Sequence, residues 1–185
     1  MNLKKIKAMK RIKEEYNELN QHPSPNIGAS VGLVDEDNIF EWRCTLIGPK
    51  GTSYEKGLFT LKIKFPDNYP TKAPEFAFKT PIYHLNVNPY KSDVEGSDCL
   101  GHVNINTINN WNPEKRVKDI LNDIFVLLCK PNPDSPYGLE RGDEFKMDRP
   151  VYEYKAKCFT KKYANPLVKY DDEYITDWDF TTIGL

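Results

Sequence analysis

The apolar positions follow two different periods along the chain. Near the start, Met9, Ile12, Tyr16 and Leu19 recur at steps of three, four and three, which is one face of an α-helix. The pattern stops before HPSP at 22–25, where Pro23 and Pro25 break it. From residue 29 the chain reads as strands. ASVGLV (29–34) leads through the polar turn DEDN (35–38) into IFEWRCTLI (39–47), and the loop GPKGTSYEKG (48–57) leads into LFTLKIKF (58–65). In that last run Phe59, Leu61, Ile63 and Phe65 share one face, and Leu58, Thr60, Lys62 and Lys64 share the other. EFAFKT (75–80) is a fourth, short strand. Polar turns at hairpin distances make the four an antiparallel meander.

From 81 to 114 neither period holds, and Asn, Gly, Ser and Pro recur throughout. An ordered loop of that length in a compact domain is usually functional. After Trp111-Asn112-Pro113 the helical period returns: Val117, Ile120, Leu121, Ile124 and Leu128 form a stripe that Phe125 and Leu127 widen. This predicts a deeply buried central helix. It ends at Lys130-Pro131-Asn132-Pro133. Residues 139–147 read as a weak helix interrupted by glycine, and a last helix starts at Asp148 as N-cap, with Pro150 in its first turn. Its face is Tyr152, Ala156, Phe159 and Tyr163, and Asn165-Pro166 stops it. The expected fold class is α+β: N-terminal helix, four-stranded antiparallel meander, a loop holding Cys99, central buried helix and C-terminal helices.

Composition narrows the setting. The chain has 185 residues, enough for one sizeable core, and its net charge of −1 gives no overall pull toward nucleic acid or an anionic membrane. No window is apolar enough to span a membrane, and MNLKKIKAMKRIK lacks the apolar centre of a signal peptide. Cys44, Cys99, Cys129 and Cys158 form no CxxC pair, which fits free thiols in a reducing compartment, cytoplasmic and/or nuclear; Cys44 in a strand, Cys129 at the end of the central helix and Cys158 on the last helix read as structural. Residues 1–13 are basic and 165–185 acidic and aromatic, so the organisation expected is a domain over 1–164 with a C-terminal extension over 165–185. The aromatics Tyr170, Tyr174, Trp178 and Phe180 favour burial of that extension, on the domain, on its own basic N-terminus or on a partner.

Within EGSDCLGHVNIN (95–106), Cys99 by itself reads equally as a nucleophile, half of a metal site or a core thiol. Zinc on Cys99, His102 and His84 lacks a second ligand pair in structural spacing, and Cys99 with His102 gives no base geometry from spacing alone.

The flanks decide among these readings. Gly48-Pro49 followed by Tyr54-Glu55 and Gly57-Leu58-Phe59, and Phe65-Pro66 followed by Tyr69-Pro70 and Ala73-Pro74, are the first two of six ordered motifs. Tyr83-His84-Leu85-Asn86, Gly96-Ser97-Asp98-Cys99-Leu100, Trp111-Asn112-Pro113 and the Pro131–Pro136 segment PNPDSP complete them. Together, over about residues 6–164, they resemble the ubiquitin-conjugating enzyme family. The resemblance implies that Cys99 accepts the C-terminal carboxyl of ubiquitin, or of a ubiquitin-like protein, from an activating enzyme. Cys99 then holds it as a thioester and passes it to a lysine amine of a substrate protein, usually with a ubiquitin ligase bound. It implies no metal and no small cofactor in that step.

Cysteine suits this chemistry because it is both nucleophile and leaving group. Asn86 stands in the family's motif position, where its amide either donates to the oxyanion or braces the loop. Ser135 stands where the family often has an acid, and its hydroxyl can orient the amine. Tyr83, His84 and Leu100 support the motifs. Lys10, Arg11, Lys13 and Glu14, with Thr71 and Pro113-Glu114, match the docking surface for the activating enzyme and ligase. Thr71 replaces a common Phe, so ligases that bury that ring lack their anchor here. Leu85 replaces the motif proline, Asp98 an aliphatic residue and Gly101 a polar one, and the segments 88–96 and 102–110 lengthen both flanks of the thiol. The competing reading is a catalytically silent member that binds ubiquitin or a partner.

Overall fold

A computed structural model of the chain describes residues 2–23, 27–91, 99–167 and Trp178. Its elements run α1 (Leu3–Gln21), β1 (Ala29–Asp35), β2 (Asn38–Ile47), β3 (Leu58–Lys64), β4 (Glu75–Phe78), α2 (Asn106–Asn109), α3 (Val117–Cys129), α4 (Leu139–Met147) and α5 (Arg149–Tyr163). The fold is α+β. The four strands form one antiparallel sheet in the order β1-β2-β3-β4.

Strand alternation fixes which face of the sheet is buried. Trp42, Cys44 and Leu46 of β2 pair with Ile63, Leu61 and Phe59 of β3, and all six are fully buried. Side chains of these sizes contribute about 1.5–3 kcal/mol each on burial. Phe76 and Phe78 of β4 extend the same layer. The far edge of β4 is not left open: Phe78 N–H donates to Gly101 O (2.8 Å) and Val103 N–H to Phe76 O (3.2 Å). A free strand edge is thereby covered, and the segment after Cys99 is fastened to the sheet.

α1 packs on β1 and β2. Its apolar face is as expected at Ile12, with Met9, Tyr16 and Leu19 half-buried, but the centre of the contact is Ala8, Ile12 and Glu15. The Glu15 carboxylate is 2% exposed and fully partnered. It accepts from Arg11 Nε (2.5 Å), Tyr69 Oη (2.6 Å) and Val117 N (2.7 Å). Val117 is the first residue of α3, so this carboxylate sits where the helix dipole is positive and an N–H lacks a helical partner. Beside it, Tyr16, Trp42, Phe65, Tyr69 and Trp111 form a chain of ring contacts 4.6–6.0 Å apart.

α3 departs from the expected deep burial. Val117, Ile120, Leu121, Ile124 and Leu128 are buried, yet Phe125 and Leu127 are only half-buried and Val126 is 49% exposed. The helix is amphipathic and covers one side of the core. Cys129, expected as a structural thiol, is exposed, and Cys158 is half-buried. Only Cys44 is a core thiol, with desolvation pushing it up to about 12.

α4 contains Gly142, and glycine suits that position because a Cβ there would come within 2.9 Å of the Pro136 ring. α5 begins as its sequence predicts, with Asp148 accepting from Val151 N (3.3 Å), and buries Tyr152, Ala156, Phe159 and Tyr163. The helix ends at Tyr163, next to the expected 164/165 boundary. Trp178 nevertheless lies in the main core, 2% exposed.

Candidate active site

The site rests on residues 82–87, which the sequence leaves without a period. All six are buried, and their polar atoms hold the backbone in place. His84 is fully buried. Its Nδ1 accepts from Asn86 N (3.0 Å), while its Nε2 donates to Leu127 O (3.2 Å), an arrangement that needs the neutral ring with its proton on Nε2. Desolvation lowers its pKa to about 4, against a smaller opposing effect from the Leu127 carbonyl. With both ring nitrogens taken, His84 has no lone pair free for a metal. Among the described residues no group of three or more His, Cys, Asp or Glu gathers in ligand geometry.

Leu85, in place of the motif proline, brings a backbone N–H into this interior. That N–H donates to Tyr152 Oη (3.1 Å). Tyr152 Oη in turn lies 3.3 Å from Tyr54 Oη, which donates to Tyr83 O (2.9 Å). The departure is thus accommodated: the extra donor has an acceptor, as a buried N–H requires. Tyr83 donates its hydroxyl to Glu144 Oε2 (2.7 Å) under the Arg141 guanidinium, which lies 4.2 Å from its ring. Burial, and then the Glu144 bond, push the Tyr83 phenol well above its ordinary value.

The Asn86 side chain is equally committed. Oδ1 accepts from Asn132 N (2.9 Å), and Nδ2 donates to Asn132 O (2.8 Å) and Ser135 O (2.9 Å). Of the two roles open to Asn86, its contacts express the bracing one: both amide hydrogens are occupied by carbonyls of the PNPDSP loop. Ser135 is exposed on that loop, its Oγ accepting from Asn104 Nδ2 (3.0 Å), so its own proton remains available. Asp134 points to solvent, with only a 3.5 Å contact to Lys146.

Cys99 is half-buried, and its Sγ approaches Tyr90 O at 3.7 Å. Its backbone is pinned more tightly than its thiol. Asn88 Nδ2 donates to Cys99 O (3.0 Å), Gly101 N donates to Asn88 O (2.8 Å), and Asn88 N donates to His102 O (2.9 Å). Leu100 packs at the edge of the core. Gly101 has φ +79°, and a Cβ there would overlap the Phe78 carbonyl oxygen, so glycine is required where the family resemblance anticipates a polar residue. Tyr137 is a neighbour of Cys99: partial burial, and then the nearby thiol, push its phenol upward. The sequence reading missed Tyr137, since no motif includes it. Asp98, with Gly96 and Ser97, lies outside the described residues, as does most of the 88–96 insertion. The 102–110 insertion folds into α2 and the bridge of Val103 to Val87.

Lys10, Lys13, Glu14, Thr71, Pro113 and Glu114 are exposed. Trp111 Nε1 donates to Pro70 O (2.7 Å), which ties the Thr71 loop to the Pro113 loop. Arg11 differs from its neighbours. It is half-buried, bonded to Glu15 and, through Nη2, to Lys115 O (3.2 Å), so it joins α1 to the Pro113 loop from inside.

A half-buried thiol thus sits beside a segment fastened to the sheet edge, next to a buried His-x-Asn frame. The ubiquitin-conjugating enzyme family model matches residues 11–160. The chain is also 42% identical over 159 residues, 86% of its length and 95% of the relative's, to a protein of Arabidopsis thaliana named probable ubiquitin-conjugating enzyme E2 31. The chain belongs to the ubiquitin-conjugating enzyme family, and the family is one of transferases. Among the described residues no helix is long and apolar enough to cross a membrane.

Proposed function

We propose that Cys99 carries ubiquitin, or a ubiquitin-like protein, as a thioester and transfers it to a lysine amine. The observation that supports this most is the pinning of the Cys99 carbonyl and of the Gly101–His102 backbone that follows it, beside a lightly held thiol. In charging, the Cys99 thiolate attacks the carrier's C-terminal carbonyl on the activating enzyme. A carbon–sulfur bond to Cys99 forms and the bond to the donor enzyme breaks. In discharge, the lysine nitrogen attacks the same carbonyl carbon. A carbon–nitrogen bond forms, sulfur leaves with the electron pair, and the amine proton is released to solvent or to the freed thiolate.

Asn86 acts in this scheme as a positioning residue, holding the Asn132–Ser135 loop to the buried 82–87 stretch. The Ser135 hydroxyl orients the incoming amine. Activating enzyme and ligase dock on Lys10, Lys13 and Glu14 together with Thr71, Pro113 and Glu114. The reaction runs in a reducing compartment, cytoplasmic and/or nuclear. Charging assays with activating enzyme and ATP, run in parallel with ubiquitin, a SUMO-like and a NEDD8-like carrier, test the proposal. One carrier should add its mass to the protein in a thiol-sensitive adduct. No adduct with any of them favours the silent-member reading instead.

A further inference from the structure

Trp178 belongs to the C-terminal segment and makes three contacts on the thiol loop and its support. Its backbone N–H donates to Pro89 O (2.8 Å), the carbonyl immediately before Tyr90. Tyr90 O is the atom that the Cys99 thiol approaches. Its indole lies against Gly101, where a Cβ would come within 2.8 Å of the ring. Its carbonyl accepts from Arg141 Nη2. Arg141 is 7% exposed and stacked on Tyr83, and its Nη1 has no hydrogen-bond partner among the described residues. A buried guanidinium with no carboxylate partner among the described residues is costly, and the Trp178 carbonyl relieves part of that cost.

These contacts meet at the two stems of the Cys99 loop. One stem is Asn88–Tyr90 and the other is Cys99–His102, and Asn88 already joins them. Trp178 closes the arrangement from the outside, fixing Pro89 by a backbone bond and Gly101 by ring packing. Glycine at 101 therefore serves two needs at once, a left-handed backbone and room for the indole.

We infer that Trp178 is a positioning residue for thioester chemistry at Cys99. This rests on the thioester reading above. Small displacements of a reacting group cost large factors in rate, so loosening the stems lowers turnover without touching the docking face on α1.

The test compares full-length wild type, Trp178→Ala and Trp178→Phe well below their melting temperatures, with circular dichroism confirming the fold. In charging by activating enzyme, Trp178→Ala should lose about tenfold or more in kcat with KM unchanged, and Trp178→Phe should recover most of it. Hydrogen exchange should quicken at the Gly101 and His102 amides and not at β2 or β3 amides such as Cys44 and Leu61. Should Trp178→Ala not fold, Trp178→Phe alone decides: a partial kcat loss with quickened Gly101 exchange upholds the inference, and wild-type values for both overturn it. A folded Trp178→Ala protein with wild-type kcat, or with a change in KM alone, also overturns it. Should wild type form no adduct with any carrier, the thioester reading fails by itself, and the exchange data still report whether Trp178 holds the loop.

Discussion

The interior polar groups and the thiol loop are built in opposite ways. Glu15, His84 and Asn86 are at most 2% exposed, and each has its side-chain polar atoms engaged by protein groups. Cys99 is half-buried, with a single weak sulfur contact among the described residues. The difference separates holding from reacting. In a folded interior an unpaired polar atom is expensive, so the frame is fully satisfied and rigid. On the proposed function, the Cys99 sulfur has to exchange partners during the reaction, which suits a residue held through its backbone and loosely held at sulfur.

The contrast predicts a descending series of effects on stability. Glu15→Ala comes first, because it strands the Arg11 guanidinium and the Val117 N–H. It should cost about 3–5 kcal/mol in urea unfolding, the range for breaking a buried ion pair. His84 comes next, through pH. Its folded pKa of about 4 lies below its ordinary 6.5, so unfolding takes up a proton between those values. Its contribution is full above pH 6.5 and lost as pH falls toward 4, at roughly 1.4 kcal/mol per unit and about 3 kcal/mol in all. Unfolding curves at pH 7, 5.5 and 4.5 should show this slope in wild type and a shallower one in His84→Gln. Asn86→Ala follows, at about 2–3 kcal/mol, because it unpairs the Asn132 N–H and two carbonyls. An Asn86→Ala protein of wild-type stability but low turnover would move Asn86 from bracing to oxyanion contact. Cys99→Ala closes the series at about 0.5 kcal/mol or less, as befits a side chain the fold does not use.

Much of this was legible in the sequence, and what was hidden has physical causes. The alternation at Phe59, Leu61 and Ile63 gave strand, face and sheet layer, because burial on one side leaves a two-residue period. The helix from Asp148 was equally plain, since its cap and its apolar face agree. Glu15 was not, because a helical carboxylate among lysines reads as solvated until the Val117 amide and Tyr69 arrive from distant parts of the chain. Cys129 read as structural because an apolar run does not reveal which side of an amphipathic helix meets water. At the site, ordered motifs singled out Cys99 and the frame beneath it. The family resemblance did not foretell why Gly101 is glycine or where Leu85 sends its N–H, and both answers lie in partners far along the sequence, Phe78 and Tyr152. Tyr137 and Trp178 reach the thiol loop only through the fold.

The central claim, that Cys99 is the acyl carrier, is tested most directly by pairing wild type with Cys99→Ser in one charging reaction with activating enzyme, ATP and the accepted carrier. Intact-mass spectra are recorded with and without dithiothreitol. Wild type should form an adduct of one carrier mass that dithiothreitol removes, and Cys99→Ser either no adduct or one that dithiothreitol leaves in place. A Cys99→Ser protein that still charges in a dithiothreitol-sensitive way would place the thioester on another cysteine and contradict that claim.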